Sequence, residues 1–311
     1  MSKLLVVQDI VKSFSGKNVL DCLSFEVNNG EVLGVLGPNG AGKSTTFNII
    51  TGLIQADSGS VEFKNNTNPS SKRYKRSLGV VPQDISLYSN MTVEENLRFI
   101  GKLYGVKGKK LEEKVHEILG EMNLNNKRKE AVKNLSGGMK RRVNIAAALL
   151  HNPELVIMDE PTVGVDPQSR SDIWDIIRGL KKKGKSIILT SHYVDEIERL
   201  SDRVIVINSG KVIAEGTVDE LIEKFCRNYV YIVEFYSFQE NFTEELNRQM
   251  MVKSIDIDGN KAKINVDSDK NILESIIRIA SKLNLEIKNI DVKKPNLEDV
   301  FFNFTGKGME A

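Results

Sequence analysis

The chain has 311 residues, of which 40% are hydrophobic and 28% are charged, a balance typical of a folded globular protein. Its 44 basic and 42 acidic side chains give a formal charge of +2, which argues against a nucleic-acid-binding protein that works through a strong basic field. The two cysteines, Cys22 and Cys226, belong to no Cys/His cluster, so we expect neither a disulfide framework nor a zinc site. The N-terminus lacks a signal-peptide pattern, and no apolar run approaches the roughly 18 residues that cross a bilayer. We therefore expect a cytoplasmic protein that meets any membrane from outside the lipid.

The first two-thirds of the chain alternate strand-like apolar runs with helical patterns. Three short, continuous apolar runs have the pattern of strands in a sheet that is covered on both faces; they comprise residues 32–36, 155–158 and 187–189. The helix between the last two runs is marked at both ends, with Asp166 as N-cap, Pro167 in the first turn and Gly184 after the last turn. This alternation predicts an α/β fold with a parallel sheet.

The stretch from about residue 92 to residue 150 has helical patterns instead. Thr92 and Glu95 form a capping box, and apolar residues then recur at the spacing of one helical face. We therefore predict a helical insertion in the α/β domain, at about residues 86–150.

The last third of the chain changes character again. Asn208, Ser209 and Gly210 mark the turn of a predicted hairpin. Beyond about residue 228, strand and helix patterns follow the order β-α-β-β-α-β, which is the ferredoxin-like signature of a small α+β domain. We therefore predict two domains, at residues 1–227 and 228–311.

The strongest motif is a glycine-rich loop directly after the 32–36 strand and directly before a helix. It fits the phosphate-binding pattern G-x-x-x-x-G-K-[ST]; its residues are Gly37, Pro38, Asn39, Gly40, Ala41, Gly42, Lys43, Ser44 and Thr45. Glycines let the backbone wrap so that amide N–H groups point at phosphate oxygens, and the helix N-terminus adds partial positive charge. Lys43 is expected to reach the β- and γ-phosphates of a nucleotide, and the Ser44 hydroxyl to bind Mg²⁺. The flanking strand and helix argue against a plain turn with an accidental lysine.

The second motif is the acidic end of the 155–158 strand. Asp159 is placed to hold Mg²⁺, and Glu160, one residue further, is placed at the mouth of the sheet to orient or deprotonate an attacking water. Alone, this pattern could be a strand that simply leaves the core. Beside the phosphate-binding loop, the catalytic interpretation is favoured.

The third motif is Leu135-Ser136-Gly137-Gly138 at the start of another helix. The exposed N–H groups of the first turn and the Ser136 hydroxyl form a second candidate phosphate site. Taken without the other motifs, Ser136 would be interpreted as an ordinary helix N-cap.

The glycine-rich loop, then Leu-Ser-Gly-Gly, then the strand that ends in Asp159-Glu160-Pro161 follow one another along the chain. This succession resembles the ATP-binding cassette (ABC) family, a branch of the P-loop nucleoside triphosphatases. The resemblance covers about residues 4–221, and the Leu-Ser-Gly-Gly motif separates this family from other P-loop ATPases. It implies that the chain binds and hydrolyses ATP with Mg²⁺. Met139 stands where many members have glutamine, but it follows the residues expected to contact phosphate.

The resemblance also assigns roles that the residues alone do not. Gln83 matches the loop glutamine that contacts Mg²⁺ and links the ATP core to the helical insertion, although a polar loop residue explains it too. His192 matches the switch histidine at the γ-phosphate, and otherwise would be considered structural. Asp166 matches a loop that crosses the dimer interface, although its N-cap role explains it nearly as well. Phe14 matches the aromatic residue that stacks on adenine, a position where tyrosine is commoner.

In this family two cassettes face each other head to tail. The resemblance therefore implies a second cassette, a homodimer or a heterodimer, in which the Ser136–Gly138 turn of one chain completes the ATP site of the other. It also implies a separate transmembrane permease, which would hold this chain at the cytoplasmic face of the cell membrane, and no nucleic-acid partner. The 159–167 segment and the 295–306 tail are similar to those of bacterial multidrug and antibiotic exporters.

Other functions share the core motifs. An importer cassette with a C-terminal ligand-sensing domain would carry all of them, and binding of an effector to the tail would favour it. A cassette that acts on ribosomes or DNA would be expected to contain two cassettes or long coiled coils, which this sequence lacks. A non-hydrolysing structural module is disfavoured because Lys43, Asp159, Glu160 and His192 are all present.

Overall fold

The structure is a computed structural model that describes residues 2–64, 69, 71–226, 229–248, 252–266 and 272–305. The chain divides into two compact units, one up to Val218 and one from Asp219 onward. Within the described residues, no helix is both long enough and apolar enough to cross a membrane.

The first unit contains strands and helices in the alternating order that the sequence predicts. In chain order they are β1 (Lys3–Phe14), β2 (Lys17–Asn28), β3 (Val32–Leu36), α1 (Lys43–Ile50), β4 (Ser58–Phe63), α2 (Lys72–Ser77), β5 (Leu78–Val81), α3 (Val93–Leu103), α4 (Gly108–Glu121), α5 (Gly137–Leu149), β6 (Leu155–Asp159), α6 (Pro167–Lys182), β7 (Ser186–Thr190), α7 (Val194–Leu200), β8 (Arg203–Asn208) and β9 (Lys211–Gly216). Two short 3-10 helices, Asn125–Lys127 and Val132–Asn134, lie between α4 and α5.

The central element of this unit is a six-stranded sheet in the order β5-β6-β7-β3-β8-β9. Its first five strands are parallel, and β9 pairs antiparallel with β8. All residues of β3 and β7 are buried, as the continuous apolar runs predict. The predicted parallel sheet is therefore confirmed, and the carboxyl ends of β5, β6, β7 and β3 lie along one edge.

A second sheet, which the sequence did not predict, joins β2, β1 and β4 in antiparallel order. One core of buried side chains connects it to the central sheet, with Leu5 from β1, Phe47 from α1 and Ile157 from β6 among its members. This core fixes α1, and with it the loop that precedes α1, against both sheets.

The predicted helix signals are confirmed in detail. Thr92 Oγ1 accepts a hydrogen bond from Glu95 N at 3.2 Å, and Glu95 Oε2 accepts one from Thr92 N at 2.8 Å, so the capping box is complete. The Asp166 side chain accepts from Ser169 N at 3.0 Å at the start of α6. Helices α3, α4 and α5 pack together inside the stretch predicted as a helical insertion.

The hairpin between β8 and β9 is also confirmed. Ser209 and Gly210 both have positive φ angles, 49° and 77°, which is the geometry of a tight turn that follows the twist of its strands. Gly210 also approaches β2 closely, because a Cβ there would lie 2.5 Å from the Val19 carbonyl oxygen.

The second unit has the predicted β-α-β-β-α-β order. Its elements are α8 (Val218–Phe225), β10 (Tyr229–Phe235), α9 (Asn241–Asn247), β11 (Val252–Asp258), β12 (Lys261–Val266), α10 (Ile272–Lys282), β13 (Ile287–Lys293) and α11 (Leu297–Thr305). The sheet is antiparallel in the order β11-β12-β10-β13. Phe235 from β10, Phe242 from α9 and Ile276 from α10 share its core, so the small α+β fold is confirmed.

The division between the units falls after Val218, the first residue of α8, whereas the sequence placed it at residue 227. Contacts with α11 explain the grouping of α8 with the second unit. Asn303 Nδ2 donates to the Phe225 carbonyl oxygen at 3.0 Å, and the Phe225 and Phe304 rings meet edge to face at 4.6 Å. The functional boundaries of the domains remain a prediction.

Candidate nucleotide site

The glycine-rich loop connects β3 to α1 in a conformation that requires glycine at two positions. Gly42 has a φ angle of 108°, and a Cβ there would lie 2.5 Å from Leu20 Cδ2. A Cβ at Gly37 would lie 2.5 Å from the backbone oxygen of Ile207. Side chains at these positions would therefore force the loop away from β2 and β8, and the amides at the start of α1 would lose their common direction.

This loop forms one wall of a cleft of about 360 Å³. The cleft is lined by Val19, Asn39, Gly40, Ala41, Gly42, Lys43, Ser44, Thr45, Gln83, Glu160 and His192. Gln83 follows β5, Glu160 follows β6, and His192 follows β7. The parallel sheet brings these three side chains to the loop because the carboxyl ends of its strands meet at one edge.

Lys43 is half-buried at the inner side of the loop. Its Nζ donates to the Gly37 carbonyl oxygen at 2.6 Å and to that of Pro38 at 3.1 Å. Burial lowers the pKa of Lys43, and the negative charges of Glu160 and Asp159 oppose that shift. The ammonium group is thus held between the loop and the two acids, where a phosphate chain would meet it.

Glu160 and His192 form a close pair across the cleft. His192 Nε2 lies 2.5 Å from Glu160 Oε1, while Glu160 Oε2 is buried and has no hydrogen-bond partner among the described residues. Burial raises the pKa of Glu160; His192, Lys43 and Arg141 lower it, and Asp159 raises it. A buried carboxylate with one free oxygen and a raised pKa is suited to hold a water molecule and to accept its proton.

Thr190, the last residue of β7, fixes both acids, and the sequence did not single it out. Its Oγ1 donates to Asp159 Oδ1 at 2.7 Å and accepts from Glu160 N at 3.0 Å. Glu160 itself has a φ angle of 48°, in the left-handed region that costs a non-glycine residue conformational energy. The Thr190 hydrogen bond stabilises that strained turn and so sets the direction of the Glu160 side chain.

The oxygen groups around the loop fit Mg²⁺ bound together with a nucleotide. Ser44 lies in the first turn of α1, Gln83 lines the cleft, and Asp159 is close enough to act on the pKa of Lys43. No group of three or more His, Cys, Asp or Glu side chains in the described part of the chain could hold a metal alone. Such a set fits Mg²⁺, which commonly uses one or two protein oxygens, waters and substrate phosphates.

Several predicted site residues lie elsewhere in the described structure. Ser136 caps α5 by accepting from Met139 N at 3.3 Å. Gly138 packs so closely on α6 that a Cβ there would lie 2.3 Å from Ser169 Oγ. Phe14 is 47% exposed, with Lys12 Nζ 5.5 Å from the centre of its ring. None of the predicted residues Phe14, Ser136, Gly137, Gly138, Asp159 and Asp166 is among the residues that line the cleft of the described chain.

A fully buried carboxylate, Glu196 on α7, is another residue that sequence reasoning missed. It accepts hydrogen bonds from Thr162 Oγ1 at 2.9 Å and from Trp174 Nε1 at 2.7 Å. Burial raises its pKa, and hydrogen bonds from Ser191, Thr162 and Trp174 lower it. Glu196 therefore ties the loop after Glu160 to the segment that carries His192. No sequence signal marks it, because a glutamate on a short amphipathic helix is expected to face solvent.

Comparisons with known proteins agree with this geometry. A family model described as ABC transporter matches residues 20–163, and one described as the C-terminal domain of a DrrA1-3-like ATP-binding protein matches residues 216–305. The linearmycin resistance ATP-binding protein LnrL of Bacillus subtilis (strain 168) is 36% identical over 307 residues, which cover 98% of this chain and 99% of that protein. The Nod factor export ATP-binding protein I of Rhizobium etli is 38% identical, covering 97% of this chain and 93% of that protein.

Among solved structures, the ADP conformation of MJ1267, an ATP-binding cassette of an ABC transporter, is similar to the first unit. It superposes with a TM-score of 0.65 at 32% identity, covering 72% of this chain and 95% of that one. The chain therefore belongs to the ABC transporter family, as one of its ATP-binding proteins.

Proposed function

We propose that the chain hydrolyses Mg²⁺-ATP and that this hydrolysis energises export through a separate transmembrane permease. The observation that carries the hydrolytic part is the Glu160–His192 pair beside the phosphate-binding loop. It places one free, buried carboxylate oxygen in a cleft with Lys43 and the first amides of α1.

Residues in and around the cleft have distinct tasks in this proposal. The loop amides and Lys43 bind the phosphate chain, and Phe14 offers an aromatic face for the adenine. Ser44, Gln83 and Asp159 hold Mg²⁺, which neutralises negative charge on the β- and γ-phosphates. Glu160 orients the attacking water and accepts its proton, and its raised pKa favours that transfer near neutral pH. His192 holds the Glu160 carboxylate in place and lies where the terminal phosphate would be.

The active form in this proposal is a dimer of cassettes. Ser136 and Gly137 are exposed at the N-terminus of α5, and in the described part of the chain neither lines the cleft that contains Lys43, Glu160 and His192. Placed against the nucleotide on the Lys43 loop of a second cassette, the N–H groups of the Ser136–Gly138 turn would bind the far side of the phosphates. Asp166, at the start of α6 beside that turn, would lie at the interface. Two identical chains satisfy this arrangement symmetrically.

Export is supported by the relatives, which are named for linearmycin resistance and Nod factor export. An exposed apolar cluster on α3 and the segment before it suits contact with a permease at the cytoplasmic face of the membrane. The Tyr88 and Phe99 rings meet edge to face at 5.1 Å, and Leu103, one turn after Phe99, is 69% exposed. This cluster follows the Gln83 segment in the chain, so a partner bound there is placed to sense the nucleotide cleft.

The test of hydrolysis is a comparison of the purified wild-type chain with Glu160→Gln. We expect the variant to lose about 10²- to 10⁴-fold in kcat, since it can hold a water but cannot accept a proton. It should retain ATP binding and accumulate as an ATP-bound dimer in size-exclusion chromatography. Equal turnover by both chains would contradict the assignment of Glu160. If the wild-type chain hydrolyses ATP only after its permease is added, and Glu160→Gln does not, the assignment of Glu160 stands and the permease activates hydrolysis.

A further inference from the structure

Helix α5, which begins at Ser136, is attached to the Gln83 segment by two side chains. Arg141 donates from Nη1 to the Pro82 carbonyl oxygen at 2.9 Å and from Nη2 to the Gln83 carbonyl oxygen at 2.6 Å. Asn144, three residues further on the same face, accepts from Ser86 N through Oδ1 at 3.3 Å. The backbone that carries Gln83 is thus held to α5 on both sides of the Gln83 side chain.

The Arg141 guanidinium group binds two backbone oxygens at once. It is buried, with 4% of the residue exposed, and its two terminal nitrogens donate to consecutive carbonyl oxygens rather than to a carboxylate. A planar fork with two parallel donors holds both oxygens in a fixed direction. The neighbouring Arg142 is also buried, but it donates from Nη1 to the Met122 carbonyl oxygen at 3.1 Å, in the segment after α4.

We propose that Arg141 is a positioning residue that couples the Ser136 turn at the start of α5 to Gln83 in the nucleotide cleft of the same chain. The proposal rests on the proposed function, because the Ser136 turn contacts a nucleotide only in a dimer of cassettes. In such a dimer each chain contributes its Gln83 to one site and its Ser136 turn to the other. Arg141 then transmits the occupancy of one site to the other within a single chain.

The geometry of a helix makes this transmission direct. Ser136 and Arg141 are five residues apart, so about 7.5 Å of rigid helix separates them along the axis. A shift of the Ser136 turn toward a phosphate moves the guanidinium group, and the two carbonyl oxygens follow because leaving them buried and unpaired is costly. Gln83 lines the cleft and moves with its own carbonyl.

The experiment compares Arg141→Gln and Arg141→Lys with Arg142→Gln in the full-length chain. Arg142→Gln is the matched control, because it also removes a buried arginine of α5 that donates to a backbone oxygen. ATP affinity is measured with a fluorescent ATP analogue, stability by thermal unfolding, and Mg²⁺-ATP hydrolysis as a function of ATP concentration.

We expect Arg141→Gln to keep its ATP affinity within about twofold and to lose roughly tenfold or more in kcat. Its Hill coefficient for ATP should fall toward unity. Arg141→Lys, which keeps the charge but not the fork, should recover only part of the kcat. Arg142→Gln should retain the wild-type Hill coefficient.

Equal losses in Arg141→Gln and Arg142→Gln, in proportion to their unfolding temperatures, would overturn the proposal and make Arg141 a structural residue. A wild-type chain that hydrolyses ATP with a Hill coefficient of unity would overturn it as well. A wild-type chain that does not hydrolyse ATP, with or without a permease, would instead contradict the proposed function.

Discussion

Two helix N-termini of the first unit are candidates for phosphate binding, and their surroundings differ. Gly42 is the N-cap residue of α1 and offers no side chain to the first turn. Lys43, Glu160 and His192 lie around this N-terminus. The N-terminus of α5 is capped by the Ser136 hydroxyl, and Ser136 and Gly137 are exposed. The proposed catalytic groups thus surround only the N-terminus of α1. Under the proposed function, each chain therefore has one half-site that binds and reacts and another that only binds.

The largest effect on this comparison is expected from Lys43→Ala. Removing a charged donor to phosphate should cost about 1.5–3 kcal/mol of ATP-binding free energy, and hydrolysis should fall with it. Equilibrium binding of a fluorescent ATP analogue measures the change. If Lys43→Ala binds ATP as tightly as the wild type, the nucleotide does not use this loop.

An intermediate effect is expected from Ser136→Arg, which places a bulky side chain on the other N-terminus. A monomer should bind ATP with unchanged affinity, because Ser136 does not line its own cleft. ATP-dependent dimerisation and hydrolysis should be lost. Ser136→Ala is the control, since it removes the cap but leaves the N–H groups free, and it should cost only about 1 kcal/mol of stability. Weakened ATP binding by monomeric Ser136→Arg would mean that the two N-termini are not independent.

The smallest effect is expected from Phe14→Ala. Loss of one stacking face should weaken ATP binding by about 0.5–1.5 kcal/mol, and Phe14→Tyr should restore it. Inorganic tripolyphosphate, which has no base, serves as the control. Phe14→Ala should bind it as tightly as the wild type does, as measured by its competition with a fluorescent ATP analogue. An equal loss with tripolyphosphate would show that Phe14 shapes the loop rather than contacts the base.

Much of the fold was predictable because its signals are local. Strand β3, the glycine loop and the capped helices α3 and α6 each carry their pattern within a few residues. The three-stranded sheet was missed because its period-2 alternation is interrupted. Asp9 and Cys22 have φ angles of 48° and 53°, and the β1–β2 register shifts between Val7 and Ile10. Such bulges move the following side chains to the opposite face, so the sequence no longer alternates.

The candidate site divides in the same way. Lys43, Ser44 and Glu160 stand in recognisable motifs next to strand ends, and the parallel sheet brings them together as expected. Thr190, on β7, and Glu196, on α7, form hydrogen bonds to the segment around Glu160 from elsewhere in the chain. Their hydrogen bonds depend on how distant segments meet, which no spacing along the chain encodes. Roles such as those of Phe14 and Asp166 remain predictions, because they depend on a nucleotide and a second cassette.

A mixture of two inactive variants shows whether one complete site needs two chains. Lys43→Ala lacks the reacting half, and Ser136→Arg lacks the half that only binds. In a one-to-one mixture, half of the random encounters bring the two variants together, and each mixed pair has one intact site of its two. We expect the mixture to hydrolyse Mg²⁺-ATP at up to about a quarter of the wild-type rate, while each variant alone is inactive. A mixture no more active than its two components would contradict the requirement for two chains.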